Sequence, residues 1–322
     1  RIRSSLIWSQ IEKHQKFGGV VPELAARCHL EVISRLTADA LEEAGVAPGA
    51  LNLVAATYGP GLIGGLLVGL SMAKALSLAW QVPFVGVNHV EGHIYANFLA
   101  HPELEPPLLC LTVSGGHTQL VLMPEHGRYE LLGQTRDDAA GEAFDKVARV
   151  LGLGYPGGPH LDRLAQTGQP GLTLVHHDAL AGTYDFSFSG LKTAVVNLVH
   201  NLKQKGEPIP VADVAASFQR QVVSILLDRA FRALAATKVK TLVLSGGVAA
   251  NSELRARFAA EAKARGVKLY CPPLPLCTDN AAMIAACGYF QWLREGASSL
   301  ALAAVPRLRF EPPLAGTEEN TP

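Results

Sequence analysis

The chain has 322 residues, 48% of them hydrophobic, and its 28 Lys and Arg are balanced by 28 Asp and Glu. This composition is typical of a globular protein that buries sizeable cores, and it excludes an intrinsically disordered chain. The zero net charge excludes long-range attraction of a polyanion, so any contact with RNA has to come from a local basic patch.

Short apolar strands alternate with longer helical patterns along the sequence, which predicts an α/β fold with sheets covered by helices. The apolar runs and the turn residues that bound them predict strands at 51–57, 82–87, 108–113, 119–123 and 241–244. Apolar residues at helical spacing predict helices at 63 to about 80, 211–236 and 252–264.

We place a boundary between two lobes near Leu108. Residues 1–107, joined by about 288–310, are expected to form the N-terminal lobe, and 108–287 the C-terminal lobe. The acidic, proline-rich segment 311–322 is expected to be a frayed tail.

The cysteines and the apolar stretches indicate the compartment. Five cysteines without CxxC spacing predict reduced thiols and a cytoplasmic protein. The most apolar stretch, 51–80, is interrupted by Pro60 and several glycines, so we expect no membrane span.

Two histidines and one aspartate are candidates for a metal site. His89 and His93 are four residues apart, so on a helix they share one face at a spacing that a single ion can bridge. The alternative is a pair of histidines that serves only packing or capping. Asp279 precedes a helix of small residues and is the candidate third ligand, although Thr278 or Asp279 is also suited to cap that helix. The position of Glu91 disfavours a thermolysin-like protease, in which Glu directly follows the first His.

Two predicted strands end in the same Ser-Gly-Gly sequence, at 114–116 and at 245–247, a weak sign of internal duplication. Backbone N–H groups in such loops can approach a phosphate closely, and the helix expected after Asn251 adds an anion-binding N-terminus. An ordinary hairpin turn explains the first loop equally well, and Asn251 is equally suited to a helix cap.

Four carboxylates lie within 137–145, at an expected helix start. The helix dipole explains Asp137 and Asp138 without any function, whereas Asp145 lies a turn further on and could accept hydrogen bonds from ribose hydroxyls. A solvated helix face is the alternative for Asp145.

Two further segments are weaker candidates. The turn 155–159 exposes backbone before Asp162, although turn chemistry alone explains its glycines and prolines. Lys192 is a candidate for phosphate or tRNA contact, although a plain surface lysine is the commoner outcome.

Taken together, these segments resemble the bacterial tRNA N6-adenosine threonylcarbamoyltransferase family, once called glycoproteases, over residues 9–309. The matching segments, in chain order, are 14–23 (HQKFGGVVPE), 59–69 (GPGLIGGLLVG), 89–93, 113–119 (VSGGHTQ), 137–146, 155–159, 186–193, 245–251 and 277–284. The sequence begins after the strand and the Glu-Thr-Ser-Cys-Asp-type loop with which the family begins.

The resemblance implies an α/β, two-lobed, actin-like (ASKHA) ATPase fold with duplicated mixed sheets flanked by helices. It implies one divalent metal per subunit, iron or zinc, bound by His89, His93 and Asp279. The residues implied to face the acyl and phosphate part of the substrate are Thr112, Val113, Ser114, Gly115 and Gly116. Those implied to hold the nucleotide are Asp145, Gly158, Asp162 and Asn251.

The implied reaction moves a threonylcarbamoyl group from threonylcarbamoyl-AMP to the N6 amine of the adenosine next to the anticodon, in tRNAs that read codons beginning with A. It needs no side-chain nucleophile, and ATP is expected to bind the same cleft. The implied partners are tRNA and the complex proteins TsaB and TsaE, with TsaC supplying the adenylate. The alternative hypotheses are a non-catalytic assembly subunit of that complex and an actin-like ATPase or small-molecule kinase. A peptidase is the weakest hypothesis.

Overall fold

Two β-sheets with helices around and between them make up the fold, and the computed structural model describes residues 1–174 and 179–310. The smaller sheet consists of two parallel strands, β1 (Val54–Gly59) and β2 (Phe84–Asn88). The strands of the larger sheet are β3 (Leu108–Val113), β4 (Thr118–Glu125), β5 (Arg128–Gln134), β6 (Thr241–Ser245) and β7 (Lys268–Tyr270). Their spatial order is β5-β4-β3-β6-β7.

Eleven α-helices lie in the described ranges. Eight of them precede β6 in the chain: α1 (Ile11–Gln15), α2 (Pro22–Ala44), α3 (Ile63–Trp80), α4 (His89–Ala100), α5 (Ala140–Val150), α6 (Gly157–Ala165), α7 (Ser189–Lys205) and α8 (Val211–Thr237). The others are α9 (Ser252–Arg265), α10 (Leu274–Cys277) and α11 (Ala281–Glu295). Two short 3-10 helices span Pro48–Ala50 and Gly247–Ala250.

The larger sheet is mixed, because β3 pairs antiparallel with β4 and parallel with β6. Every residue of β3 and most of β6 are buried, which explains why both read as continuous apolar runs. Thr112 lies opposite Ser245 in the ladder. The two Ser-Gly-Gly loops therefore leave the sheet side by side, at the carboxyl ends of neighbouring parallel strands.

Helix α4 lies where the two sheets meet. Its buried residues Val90 and Ile94 join one core with Val85 and Val87 of β2 and with Cys110 of β3. A separate, larger core covers the other face of the larger sheet and is built mainly from α5, α7 and α8. The histidine pair is thus carried by an element that both sheets hold in place.

Helix α3 confirms the helix predicted from 63 to about 80. The helix runs unbroken through Gly64, Gly65 and Gly69 and is the one described helix long and apolar enough to cross a membrane by length and composition, with a mean hydropathy of 1.5 and 22% of it buried. A Cβ on Gly64 would lie 2.7 Å from the Cβ of Ala26, so this glycine allows α2 to pack closely instead of ending the helix. On its other side α3 packs against β1.

Most of the predicted strands and helices are confirmed to within three residues. The strand expected at 51–57 begins at Val54, and the helix expected at 211–236 ends at Thr237. The predicted tail, 311–322, lies outside the described residues.

Candidate active site

The junction of β2 and α4 sets the positions of the two histidines. Asn88 is the last residue of the strand and the N-cap of the helix, and its Oδ1 accepts a hydrogen bond from the Val90 N–H at 2.9 Å. His89 and His93 follow one turn apart, with ring centroids separated by 4.7 Å. The predicted helical pairing of these histidines is confirmed.

Asp279 lies between α10 and α11, outside both helices, and approaches the two imidazoles. Its Oδ1 is 3.5 Å from His89 Nε2 and 3.3 Å from His93 Nε2. Asn280, and not Thr278 or Asp279, caps α11, because its Oδ1 accepts from the Met283 N–H at 2.9 Å. Asp279 therefore has no capping role and stays available to a ligand.

These three side chains fit a divalent metal ion. Their candidate ligand atoms all lie within 4.8 Å of one another. His93 is only 1% exposed, and neither of its ring nitrogens forms a hydrogen bond of acceptable geometry with the described residues, the 3.3 Å approach to Asp279 included. A buried imidazole without a partner costs free energy that binding to an ion would recover. Two histidines and one carboxylate also leave coordination positions open for substrate oxygens.

The local electrostatics favour the ligand-competent protonation states. Burial lowers the pKa of His89, and the charge of His93 lowers it further against the opposing effect of Asp279. Displacement of water by the surrounding protein opposes ionisation of Asp279. The contact with His93 and the charges that His89 and His93 carry when protonated outweigh this effect and lower the pKa of Asp279 to about 2. The carboxylate still has 77% of its side chain exposed, so it forms the solvent side of the cluster. Neutral imidazole and ionised carboxylate are the forms that bind metals.

His117 is a further member of this region to which the sequence assigned no role. Its ring centroid is 6.4 Å from that of His89, and burial followed by the charges of His89 and His93 lowers its pKa to about 4. The only signal in the sequence was its place directly after Ser-Gly-Gly, and spacing alone does not show that this loop turns back towards α4.

The glycine-rich loops meet at the carboxyl ends of β3 and β6. Gly246 has φ +86°, and a Cβ there would lie 2.4 Å from the Val113 carbonyl oxygen, so two independent constraints require glycine. A Cβ on Gly141 would lie 2.6 Å from the Ser114 carbonyl oxygen, which brings the start of α5 onto the same loop. This edge is where open α/β sheets bind their ligands.

Within 112–116, the glycines and not the side chains face outwards. Gly115 and Gly116 are exposed, and their N–H groups donate no hydrogen bond to any described residue. The side chain of Thr112 points into the protein instead, where its Oγ1 lies 2.9 Å from Ser245 Oγ. Thr112 can therefore offer only backbone to a ligand, whereas Ser114 folds its hydroxyl back to accept from the His117 N–H at 3.1 Å.

Asp145 and Gly158 are brought together at the start of α6. Asp145 Oδ1 accepts hydrogen bonds from the N–H groups of Gly157 and Gly158, at 2.8 and 3.2 Å. Burial raises the pKa of Asp145 even though both of these bonds lower it. A cavity of about 160 Å³ opens here, lined by Gln15, Gly18, Asp145, Arg149, Leu153, Gly154, Tyr155 and Gly157.

Asp162 and Asn251 form a second polar cluster. Asn251 caps α9 through its Oδ1, as predicted for one of its two roles, and its Nδ2 donates to Asp162 Oδ1 at 3.2 Å and to Gln219 Oε1 at 2.8 Å. Ser252 donates to Asp162 through both its N–H and its hydroxyl. Gln219 was not identified as a site residue from the sequence, because it lies within the long core-facing helix α8.

Lys192 is engaged by a carboxylate. Its Nζ is 2.8 Å from Asp138 Oδ2, and Lys146 Nζ is 2.7 Å from the other oxygen. Asp137 accepts from the N–H groups of Phe188 and Ser189 at the start of α7, so it stabilises that helix and not α5. Contact of Lys192 with phosphate or tRNA stays a prediction.

Solved structures with the same fold support the architecture. The chain matches HypF from T. kodakarensis with a TM-score of 0.60 at 14% identity, over 81% of this chain and 43% of that one. It matches full-length HypF in a phosphate- and nucleotide-bound form with a TM-score of 0.58 at 16% identity, over 84% and 50%. At such identities the likeness shows the fold alone, and it confirms the predicted actin-like α/β class.

Sequence relatives identify the family. The family model described as tRNA N6-adenosine threonylcarbamoyltransferase matches residues 1–286. Proteins of that name from Caldicellulosiruptor bescii and Bacillus cereus are each 53% identical to this chain over 96% of its length, covering 92% and 90% of their own lengths. One from Clostridium botulinum is 50% identical over 96% of the chain. This chain therefore belongs to the tRNA N6-adenosine threonylcarbamoyltransferase family.

Proposed function

We propose that the chain transfers the threonylcarbamoyl group of threonylcarbamoyl-AMP to the N6 amine of the adenosine next to the anticodon, in tRNAs that read codons beginning with A. The observation that carries this proposal is the convergence of two features in a chain of this family. The His89–His93–Asp279 cluster and the open Ser114–His117 loop lie side by side at the carboxyl ends of the strands.

The metal-binding residues are His89, His93 and Asp279, and the bound ion is iron or zinc, one per subunit. When bound, the ion supplies a Lewis acid for substrate oxygens. The exposed N–H groups of Gly115 and Gly116 bind the phosphate side of the substrate, where negative charge grows as AMP departs. These groups need no reorganisation during the reaction, because the contacts of Gly246 and Gly141 already fix the loop.

The nucleotide lies over the two polar clusters of the larger sheet. Asp145 and Gly158 bind it at the start of α6, and Asp162 and Asn251 bind it at the start of α9. These groups are already hydrogen-bonded to one another, so their orientation does not depend on the ligand. ATP occupies the same cleft when it binds.

No side chain acts as a nucleophile in this reaction. The N6 amine attacks the carbamoyl carbon, the new C–N bond forms, and the bond between that carbon and the phosphate oxygen breaks. The nitrogen releases one proton to solvent, and AMP leaves. Cys110 and Cys271 do not offer a covalent alternative, because burial raises the pKa of each thiol to about 11, which keeps both protonated at neutral pH.

The larger assembly is also part of the proposal. The two sheets belong to two lobes divided near Leu108, with about 288–310 returning to the first lobe. Besides tRNA, the partners are TsaB and TsaE, while TsaC supplies the adenylate. An exposed apolar stripe on α3, including Ile63, Leu67 and Leu78, supports a partner protein on this lobe. Five free cysteines support the cytoplasm as the location.

A reconstituted transfer assay tests the function. The chain is mixed with purified threonylcarbamoyl-AMP, unmodified tRNA and the partner proteins, and the modified nucleoside is measured by chromatography after digestion. We expect product with the wild type and a loss of at least about 100-fold with Asp279→Ala, because a positioned Lewis acid contributes several kcal/mol. Absence of product with the wild type, or undiminished product with Asp279→Ala, would reject the proposal.

A further inference from the structure

Arg255 joins three segments of the active-site region with one side chain. It lies one turn into α9, and its Nε donates to the Ala249 carbonyl oxygen at 2.6 Å. Its Nη2 donates to the Pro272 carbonyl oxygen at 2.6 Å and to Cys277 Sγ at 3.1 Å. The planar guanidinium presents its donors in a fixed fork, so these partners are held at fixed relative positions.

The partners of Arg255 belong to the two halves of the site. Ala249 is in the 3-10 turn Gly247–Ala250, which runs directly into the nucleotide-side residue Asn251. Cys277 ends α10 and stands two residues before Asp279. Cys277 is also fully buried, so its position is fixed by packing as well as by the guanidinium. The guanidinium thus connects the nucleotide-side turn to the segment that carries the carboxylate.

Helix α4, which carries both histidines, is hydrogen-bonded to the end of β6, directly before the 247–250 turn. Asn97, one turn beyond His93 on α4, donates from Nδ2 to the Leu244 carbonyl oxygen at 2.9 Å and is fully buried. Leu244 lies at the end of β6, just before the turn that Arg255 holds. The histidines are therefore fixed relative to β6. Asp279 is held from two sides, by the link from Arg255 to Cys277 and by α11, which packs on α4.

We propose that Arg255 is a positioning residue that couples nucleoside binding at the 247–251 turn to ion binding at His89, His93 and Asp279. This inference rests on the proposed function, which places the nucleotide on Asn251. A nucleoside bound at the turn stabilises the arrangement that the structure shows, in which Arg255 holds its partners and Asp279 lies 3.5 and 3.3 Å from the two imidazoles. By reciprocity, a bound ion raises the affinity for the nucleoside by the same factor.

Arg257 provides a matched control on the same helix. It is also half-buried and also donates to a carbonyl and a hydroxyl oxygen, those of Arg220 and Ser224, at 3.0 and 2.9 Å. These contacts face α8 and not the metal side. Arg257→Ala therefore removes these two hydrogen bonds and the 3.7 Å ion pair with Glu253, and it leaves the contacts of Arg255 in place.

The experiment measures the affinity for Co²⁺, by its visible absorption bands, with and without saturating adenosine. Adenosine has no phosphate that could reach the ion, so any coupling has to pass through the protein. We expect adenosine to tighten Co²⁺ binding by about 5-fold or more in the wild type and in Arg257→Ala. In Arg255→Ala the factor is expected to fall to about 1, and Arg255→Lys is expected to retain part of it, since one ammonium reaches fewer acceptors.

The outcomes separate this inference from the proposed function. Equal coupling factors in the wild type and in Arg255→Ala overturn the inference, and so does a wild-type affinity for Co²⁺ that adenosine does not change. Absence of any Co²⁺ binding by the wild type would instead remove the metal site itself, and the inference with it. Thermal unfolding of all variants confirms that each is folded at the temperature of the titration.

Discussion

His93 imposes the strongest single-residue constraint on the site. An imidazole that is 1% exposed and has no well-formed hydrogen bond among the described residues is rare in folded proteins, where buried polar groups are nearly always paired. Its neighbour His89 is partly open, and Asp279 is mostly open. The three residues therefore run from the interior to solvent, and the innermost member has the most to gain from an ion.

Asp279→Asn tests the carboxylate with almost no change of shape. The amide keeps the volume but loses the charge, so we expect metal occupancy to fall by at least about tenfold, given that losing even an outer partner of a metal site costs 10–100-fold. Elemental analysis of the purified protein gives the occupancy. Asp228→Asn, which alters an exposed ion pair with Arg232, is the control and should keep full occupancy. Equal metal content in both variants would contradict the assignment.

Glu91 should make the stability of the metal-free chain depend on pH. Burial raises its pKa from 4.5 to about 7. The folded state then binds the proton more tightly than the unfolded state, so the contribution is complete below pH 4.5 and is lost as the pH rises through 7. Urea unfolding should show roughly 3 kcal/mol lost to this group by pH 8. Glu91→Gln should flatten the profile, whereas the exposed Glu103→Gln should leave it as in the wild type.

Among single residues, the sequence predicted those whose placement depends on local spacing. His89 and His93 were identifiable because four residues make slightly more than one helical turn. Asp279 was the candidate third ligand as a carboxylate before a small-residue helix, and the resemblance implied the same role. Gln219 and His117 were missed, since their places depend on how α8 and the 114–118 loop pack against distant segments.

Among the elements, the caps decide where the functional helices begin. Asn88, Asn251 and Asn280 each accept a backbone N–H at the start of α4, α9 and α11, and each stands within one residue of a proposed ligand-binding position. Asparagine was read as a cap only at 251. For α11 the sequence analysis named Thr278 or Asp279 as the cap, whereas the structure shows Asn280, and propensity alone does not choose among these residue types.

Asn280→Ala should weaken the start of α11. We expect a loss of about 1 kcal/mol in unfolding free energy, because the Met283 N–H loses its acceptor. Asn280→Asp keeps an acceptor at the same place and should restore most of it. Chemical unfolding of the three proteins measures both values. If Asn280→Asp loses as much unfolding free energy as Asn280→Ala, the N-cap hydrogen bond is not the cause of the loss.

The elements themselves were predicted better than their arrangement. Strands such as β3 and β6 are recognisable because both of their faces are buried and their apolar runs are continuous. In the sheet, β3 pairs with β6, whose residues are more than a hundred positions away in the sequence, and no local pattern predicts this pairing. The helix α3 was predicted as well, but the sequence does not show that Gly64 allows close packing against α2, because that contact depends on the fold.

For the whole molecule, the position of α4 links the ion to global stability. The helix forms part of the core that joins the two sheets, so an ion bound to its histidines binds the folded state and not the unfolded chain. Mass action then stabilises the fold by about 2.7 kcal/mol at a free ion concentration 100 times the Kd.

Calorimetry in the presence and absence of a chelator measures this effect. The wild type should unfold several degrees lower once the ion is removed, because a gain of about 2.7 kcal/mol corresponds to a shift of that order for a chain of this size. His89→Ala should show the lower temperature in both conditions. If the chelator does not change the unfolding temperature of the wild type, an ion at this cluster does not stabilise the fold.

The glycines around the cleft differ in how much room surrounds them, and this has a consequence for changing the substrate range. Position 246 admits no side chain, because even a methyl group would overlap the Val113 carbonyl. At 115 and 116 nothing lies within 4 Å of where a methyl group would stand. Libraries for directed evolution should therefore leave 246 fixed and vary 115 and 116, where new side chains enter the cleft while the scaffold keeps its packing.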